Sequence, residues 1–188
     1  MIADLKTLVE GYVKPNRNRG VKRNKDSYAQ CLVFVEAELA RLVATYRTTV
    51  FAEDMRARLI RDSIDRLVRR FHDYSIKERI GSHYREVGVA ETESVFEHVI
   101  PASSIRDMLI GERLTIKQAL NAPTCLIKKS QDEILTKNGL VKSSPNNYIF
   151  FKRYQILNST FTTNDGTAID PVTWTLEQHF DYFKHLVL

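Results

Sequence analysis

Val95-Phe96-Glu97-His98-Val99-Ile100-Pro101 sets the architecture expected of this chain. Its β-branched and aromatic residues favour an extended strand, and Pro101 stops that strand. A carboxylate beside an imidazole, flanked by apolar residues, can supply a metal ligand and a general base at one strand end. Upstream, Val87 and Val89 continue the β character from Tyr84, with Gly88 as a bend. Downstream, Ser103 or Ser104 is placed to cap a helix through about Ile110, and Gly111 ends it. Thr115 is placed to cap a second short helix through Leu120. After Pro123, Thr124-Cys125-Leu126-Ile127 has the look of a short buried strand. Ser130 is then positioned to cap a helix from Gln131 to Asn138, closed by Gly139. The expected order is strand, insertion, strand, helix.

Residues 27–47 and 53–80 carry helical stripes. Tyr28, Leu32, Val35, Leu39, Leu42 and Tyr46 alternate at spacings of four and three. Ala57, Ile60, Ile64, Leu67, Phe71 and Tyr74 repeat the pattern, and the short link between the stripes favours an antiparallel hairpin. The stripes suit an intramolecular core, and their near-heptad spacing leaves a homodimer through the hairpin open. His72 falls among polar residues and is expected at the surface. At the other end, Thr173 is placed to cap a last helix from Trp174 to Leu188.

The net charge of +5 is uneven. Residues 1–82 hold 17 Lys/Arg against 11 Asp/Glu, and residues 83–188 hold 11 against 12, so the whole positive excess is N-terminal. It is densest in residues 14–25, where Lys14, Arg17, Arg19, Lys22, Arg23 and Lys25 stand without an acid among Pro, Gly and Asn. That arm can contact phosphates without sequence choice, or serve as a solvated linker. The arginines of the second helix (Arg56, Arg58, Arg61, Arg66, Arg69 and Arg70) can likewise face DNA or pair with Asp62 and Asp65. No apolar run reaches the roughly 18 residues of a membrane span, and Met1-Ile2-Ala3-Asp4-Leu5-Lys6 lacks the apolar core of a signal peptide. Cytoplasmic residence is the expectation. Cys31 and Cys125 are far apart with no CxxC partner, and fit reduced, buried thiols.

Three pieces between Val95 and Ile156 resemble the ββα-metal (His-Asn-His) nucleases of phage and bacteria. They are Glu97-His98-Val99-Ile100-Pro101-Ala102-Ser103, the run from Ala119 to Leu135, and Ser144-Pro145 followed by Phe151-Lys152-Arg153-Tyr154-Gln155-Ile156. They cover about a third of the chain. The resemblance implies an α+β fold: an N-terminal helical hairpin (1–82), a ββα-metal core (83–160), and a C-terminal turn and helix packed on it (161–188).

It also implies a metal-dependent endonuclease acting on DNA, or RNA, in the bacterial host cell if phage-encoded. His98 would be the general base, with Glu97 and Asp132 as ligands of Mg²⁺ or Mn²⁺. Gln131 and Glu133 are one-residue alternatives to Asp132. Lys128, Lys129 and Arg153 would hold phosphate, and the arm residues Arg17, Arg19, Lys22, Arg23 and Lys25 would clamp the duplex. The chain departs from the family in carrying Asp132 where many members have His, and it has no secure match to the middle Asn, Asn121 being the nearest. His83 could join the site from the start of the strand region, while His179 and His185 have no ligand spacing. The alternative implied by those departures is a non-catalytic nucleic-acid-binding or protein-inhibiting module on the same scaffold.

Overall fold

A computed structural model describes residues 25–49 and 54–186. Helix α1 (Lys25–Arg47) and helix α2 (Met55–Phe71) form the expected hairpin. Asp54 caps α2 by accepting the Arg56 backbone N–H at 3.3 Å. Val35, Leu39, Leu42 and Val43 of α1 and Ala57, Ile60, Ile64, Val68 and Phe71 of α2 are buried, so most of both stripes turns inward. Val33, Phe34, Met55 and Leu59 stay exposed on the hairpin. Cys31 is also exposed, contrary to the expectation of two buried thiols, because it lies off the α1 stripe.

The second stripe breaks at its end. After Phe71 the chain makes a π-helical turn, His72–Ile76, before helix α3 (Lys77–Ile80). A π turn holds more residues than an α turn and so rotates the succeeding residues relative to the stripe. His72, Ser75 and Ile76 are carried into the interior, and Tyr74, which the period of 3.6 sent to the core, is 48% exposed. The expected surface position of His72 is thereby corrected: it is fully buried, and its Nε2–H donates to the Ala119 carbonyl at 3.1 Å.

The fold is α+β, with seven α-helices, the hairpin pair and α3 included, and one four-stranded mixed sheet among the described residues. The strands are β1 (Tyr84–Glu86), β2 (Ser94–His98), β3 (Thr124–Lys128) and β4 (Phe161–Thr163), in spatial order β2-β3-β1-β4. β2 runs antiparallel to β3, β1 parallel to β3, and β4 antiparallel to β1. Between β2 and β3 lie α4 (Ala102–Ile110) and α5 (Ile116–Leu120), which pack against the hairpin. Helix α6 (Lys129–Lys137) follows β3 without a loop and packs on both β2 and β3. A 3₁₀ segment, Phe150–Leu157, and helix α7 (Leu176–Tyr182) complete the cover. One continuous apolar core runs from Val35 to Phe183, through the hairpin, the central region and the C-terminal part.

Several caps differ from expectation. Thr115 does cap α5, in a reciprocal box with Gln118. Neither Ser103 nor Ser104 caps α4, which starts directly after Pro101. Helix α6 begins one residue before Ser130, and its first turn is supported from outside. Buried Glu86 accepts the Lys128 backbone N–H at 2.8 Å and the Ser159 hydroxyl at 2.9 Å. A carboxylate there complements the positive end of the helix. The last helix starts at Leu176, two residues later than expected: Thr175 forms the box with Gln178, and Thr173 bonds Asp170.

Candidate functional site

Side chains on a strand alternate between faces, and the register aligns them across strands. Glu97, Cys125, Tyr84 and Thr163 form one row across the sheet. This row faces α6, the 3₁₀ segment and α7, and Cys125, Tyr84 and Thr163 are fully buried. Phe96, Leu126, Arg85 and Thr162 form the neighbouring row on the opposite face.

On the covered face, Arg153 reaches from the 3₁₀ segment to the end of β2. Its Nη2 donates to Glu97 Oε1 at 2.6 Å, and its Nη1 donates to the carbonyls of His98 at 2.7 Å and Val99 at 2.9 Å. Arg153 has no solvent exposure, and only 13% of the Glu97 side chain is accessible. Burial pushes the Glu97 carboxyl above its usual range, Arg153 opposes that shift, and the Asp132 charge adds to it. Asp132, half-buried in the first turn of α6, thus lies within electrostatic reach of Glu97. The two alternatives to it are placed differently. Gln131 is pinned by its Nε2 to the Leu157 carbonyl and Ser159, and Glu133 is exposed. The Tyr154 hydroxyl is buried on this face without a hydrogen-bond partner, and burial together with the Glu97 charge pushes its pKa well up.

His98 leaves β2 on the other face. Its ring lies 5.9 Å from that of Phe96, two residues before it, and 5.0 Å from that of His72. Its Nε2 is buried without a partner. Burial, followed by His72, Arg69 and Arg153, holds its pKa well below the usual histidine range. The expected single centre at the strand end is therefore split. Glu97 and His98 are adjacent in sequence and separated by the sheet, because both belong to the regular strand.

Asn121 does not brace His98. Its Oδ1 accepts from His83 Nε2 at 2.9 Å, its Nδ2 donates to the Phe183 carbonyl at 3.0 Å, and its own carbonyl accepts from His179 Nε2 at 2.6 Å. His179 Nδ1 in turn accepts from the Tyr84 hydroxyl at 2.7 Å, which accepts from Trp174 Nε1 at 2.8 Å. His83 and His179 are thus structural members of a buried network that ties α7 to the sheet, and His185 is exposed.

The expected phosphate holders also separate. Arg153 is corrected from an exposed contact to a buried ion pair. Lys128 is half-exposed with its Nζ 3.8 Å from Glu86, and Lys129 is exposed with its Nζ bonded to the Thr92 carbonyl at 3.1 Å. Arg17, Arg19, Lys22 and Arg23, and the side chain of Lys25, lie outside the described residues. Two residues at the site were not singled out from the sequence. Glu86 was discoverable, since period-two alternation puts it on the face of Tyr84. His72 was not, because the π turn leaves no mark in the hydropathy pattern.

Among the described residues, no group of three or more His, Cys, Asp or Glu side chains converges as a ligand set. Two carboxylates would suit Mg²⁺, which keeps several waters. Here, however, a divalent cation on Glu97 would sit beside a buried guanidinium that cannot lose its proton, and like charges repel strongly in a low dielectric. In this arrangement the pair of carboxylates does not fit that ion. No helix among the described residues is long and apolar enough to cross a membrane. No model of a protein family, no curated protein and no solved structure matches the chain.

Proposed function

We propose that this chain binds DNA through a scaffold of nuclease type whose catalytic centre has been given up. The observation that carries the reading is Arg153. Its guanidinium holds Glu97 and the backbone at the end of β2, so a fixed protein cation neutralises the carboxylate that a metal would need. The departure of His98 to the opposite face supports the same conclusion. DNA as partner rests on the N-terminal concentration of positive charge.

A second reading keeps the metal-dependent endonuclease, with Mg²⁺ or Mn²⁺ on Glu97 and Asp132 and His98 as base. That reading requires Arg153 first to release Glu97, which it holds at 2.6 Å. Plasmid nicking and a gel shift on the same DNA separate the two readings. The expected result is salt-sensitive binding in EDTA, with the plasmid left intact in Mg²⁺ and in Mn²⁺. Nicking that requires the ion and vanishes in His98→Ala would sink the binding-only reading and establish the nuclease.

A further inference from the structure

The sheet face opposite α6 is built differently from the covered one. The row Phe96, Leu126, Arg85 and Thr162 crosses all four strands, and every member is half-exposed. Beside it, Val87 is 51% exposed. Phe96 and Leu126 stand outside the main apolar core, so they are not needed to close it. The Arg85 guanidinium has no ion-pair or hydrogen-bond partner among the described residues. The acids of β1 and β2 that alternate with this row, Glu86 and Glu97, are committed to the covered face by their bonds to Lys128 and Ser159 and to Arg153. The open row is therefore aromatic, aliphatic and cationic, with no carboxylate in it.

From this juxtaposition we infer that the face is a platform for single-stranded DNA, with one base stacked on Phe96 and a neighbouring phosphate on Arg85. Aromatic rings accept any base by its π face, and a nearby cation tracks the backbone. Phe96 and Arg85 are two strand steps apart, about 10 Å, enough for a base and the next phosphate along an extended strand. Leu126 between them offers an apolar contact for a thymine methyl. Uracil lacks that methyl, which favours DNA over RNA. The inference rests on the DNA-binding reading above and adds the form of the DNA and the surface that holds it.

The test is fluorescence anisotropy of a labelled oligothymidylate with the full chain in EDTA. Phe96→Leu keeps an apolar side chain without the π face and should weaken binding about tenfold at an unchanged thermal midpoint. Phe96→Tyr should bind like the native chain. Arg85→Gln should lower the slope of log affinity against log salt by about 0.7, the loss of one phosphate contact. If folded Phe96→Leu binds oligothymidylate as well as the native chain does, the platform is refuted while DNA binding stands. If the native chain binds neither single-stranded nor duplex DNA, the DNA-binding reading itself falls. Oligouridylate bound as tightly as oligothymidylate would overturn the choice of DNA.

Discussion

Lowering the pH from about 8 to about 5.5 is expected to cost the folded protein several kcal/mol, a large share of the ordinary stability of a domain. Four histidines, His72, His83, His98 and His179, are buried. Burial is the largest cause of the fall in pKa at each. It takes His72 to about 4 and His179 to about 3, and His83 and His98 well below the usual range. In the unfolded chain each titrates near 6.5. Below that value the unfolded state binds more protons than the folded one, so stability is full above about pH 6.5 and is lost as pH falls toward the folded values. At pH 5.5 each imidazole held neutral costs about 1–2 kcal/mol. Glu97 acts in the opposite sense, since its raised pKa lets the folded state take up a proton more readily on acidification, but it is one group against four. Denaturant midpoints measured across this range check the expectation. A flat profile between pH 8 and 5.5 would mean that the four imidazoles are not held neutral in the fold.

Removing the Arg153 side chain carries the second large effect. Arg153→Met should destabilise the protein by about 3–5 kcal/mol, the usual cost of leaving one partner of a buried ion pair behind. The loss has two parts. Glu97 keeps a buried carboxylate without its cation, and the carbonyls of His98 and Val99 lose their shared donor. Arg153→Lys should not rescue it, because one ammonium cannot reproduce the fork that spans a carboxylate and two carbonyls. Adding Glu97→Gln to Arg153→Met should recover part of the loss by removing the unpaired charge, while the carbonyls remain without a donor. A double-mutant cycle by denaturant unfolding measures this coupling. Additive losses would show that the two side chains do not act as a pair. An Arg153→Met protein within about 1 kcal/mol of the native chain would remove the basis for calling Glu97 neutralised.

Much of the architecture is readable one residue at a time. The α1–α2 hairpin, the Thr115 cap, strands β2 and β3 and the helix directly after β3 all arise from short-range periodicity and breakers, because each is specified within a few residues of itself. Strand β4 is not legible this way. Phe161-Thr162-Thr163 is three residues long and becomes a strand only by pairing with β1, more than 70 residues away in the chain. Arg153 similarly stands out from the sequence as part of an Arg-Tyr ending, but its burial against β2 depends on how the 3₁₀ segment packs.

Local propensity, capping and charge count are enough for the α+β class, the strand–insertion–strand–helix order, the N-terminal concentration of positive charge, and the residue types gathered around Glu97-His98. Packing in three dimensions was needed to settle which side of the sheet each group occupies and what it meets there. Adjacent residues in a regular strand must point apart, so Glu97 goes to Arg153 while His98 goes to His72. A single π turn, invisible to a period of 3.6, brings His72 to that meeting. Whether a carboxylate and an imidazole side by side in sequence make one site depends on the strand running straight through both, and here it does.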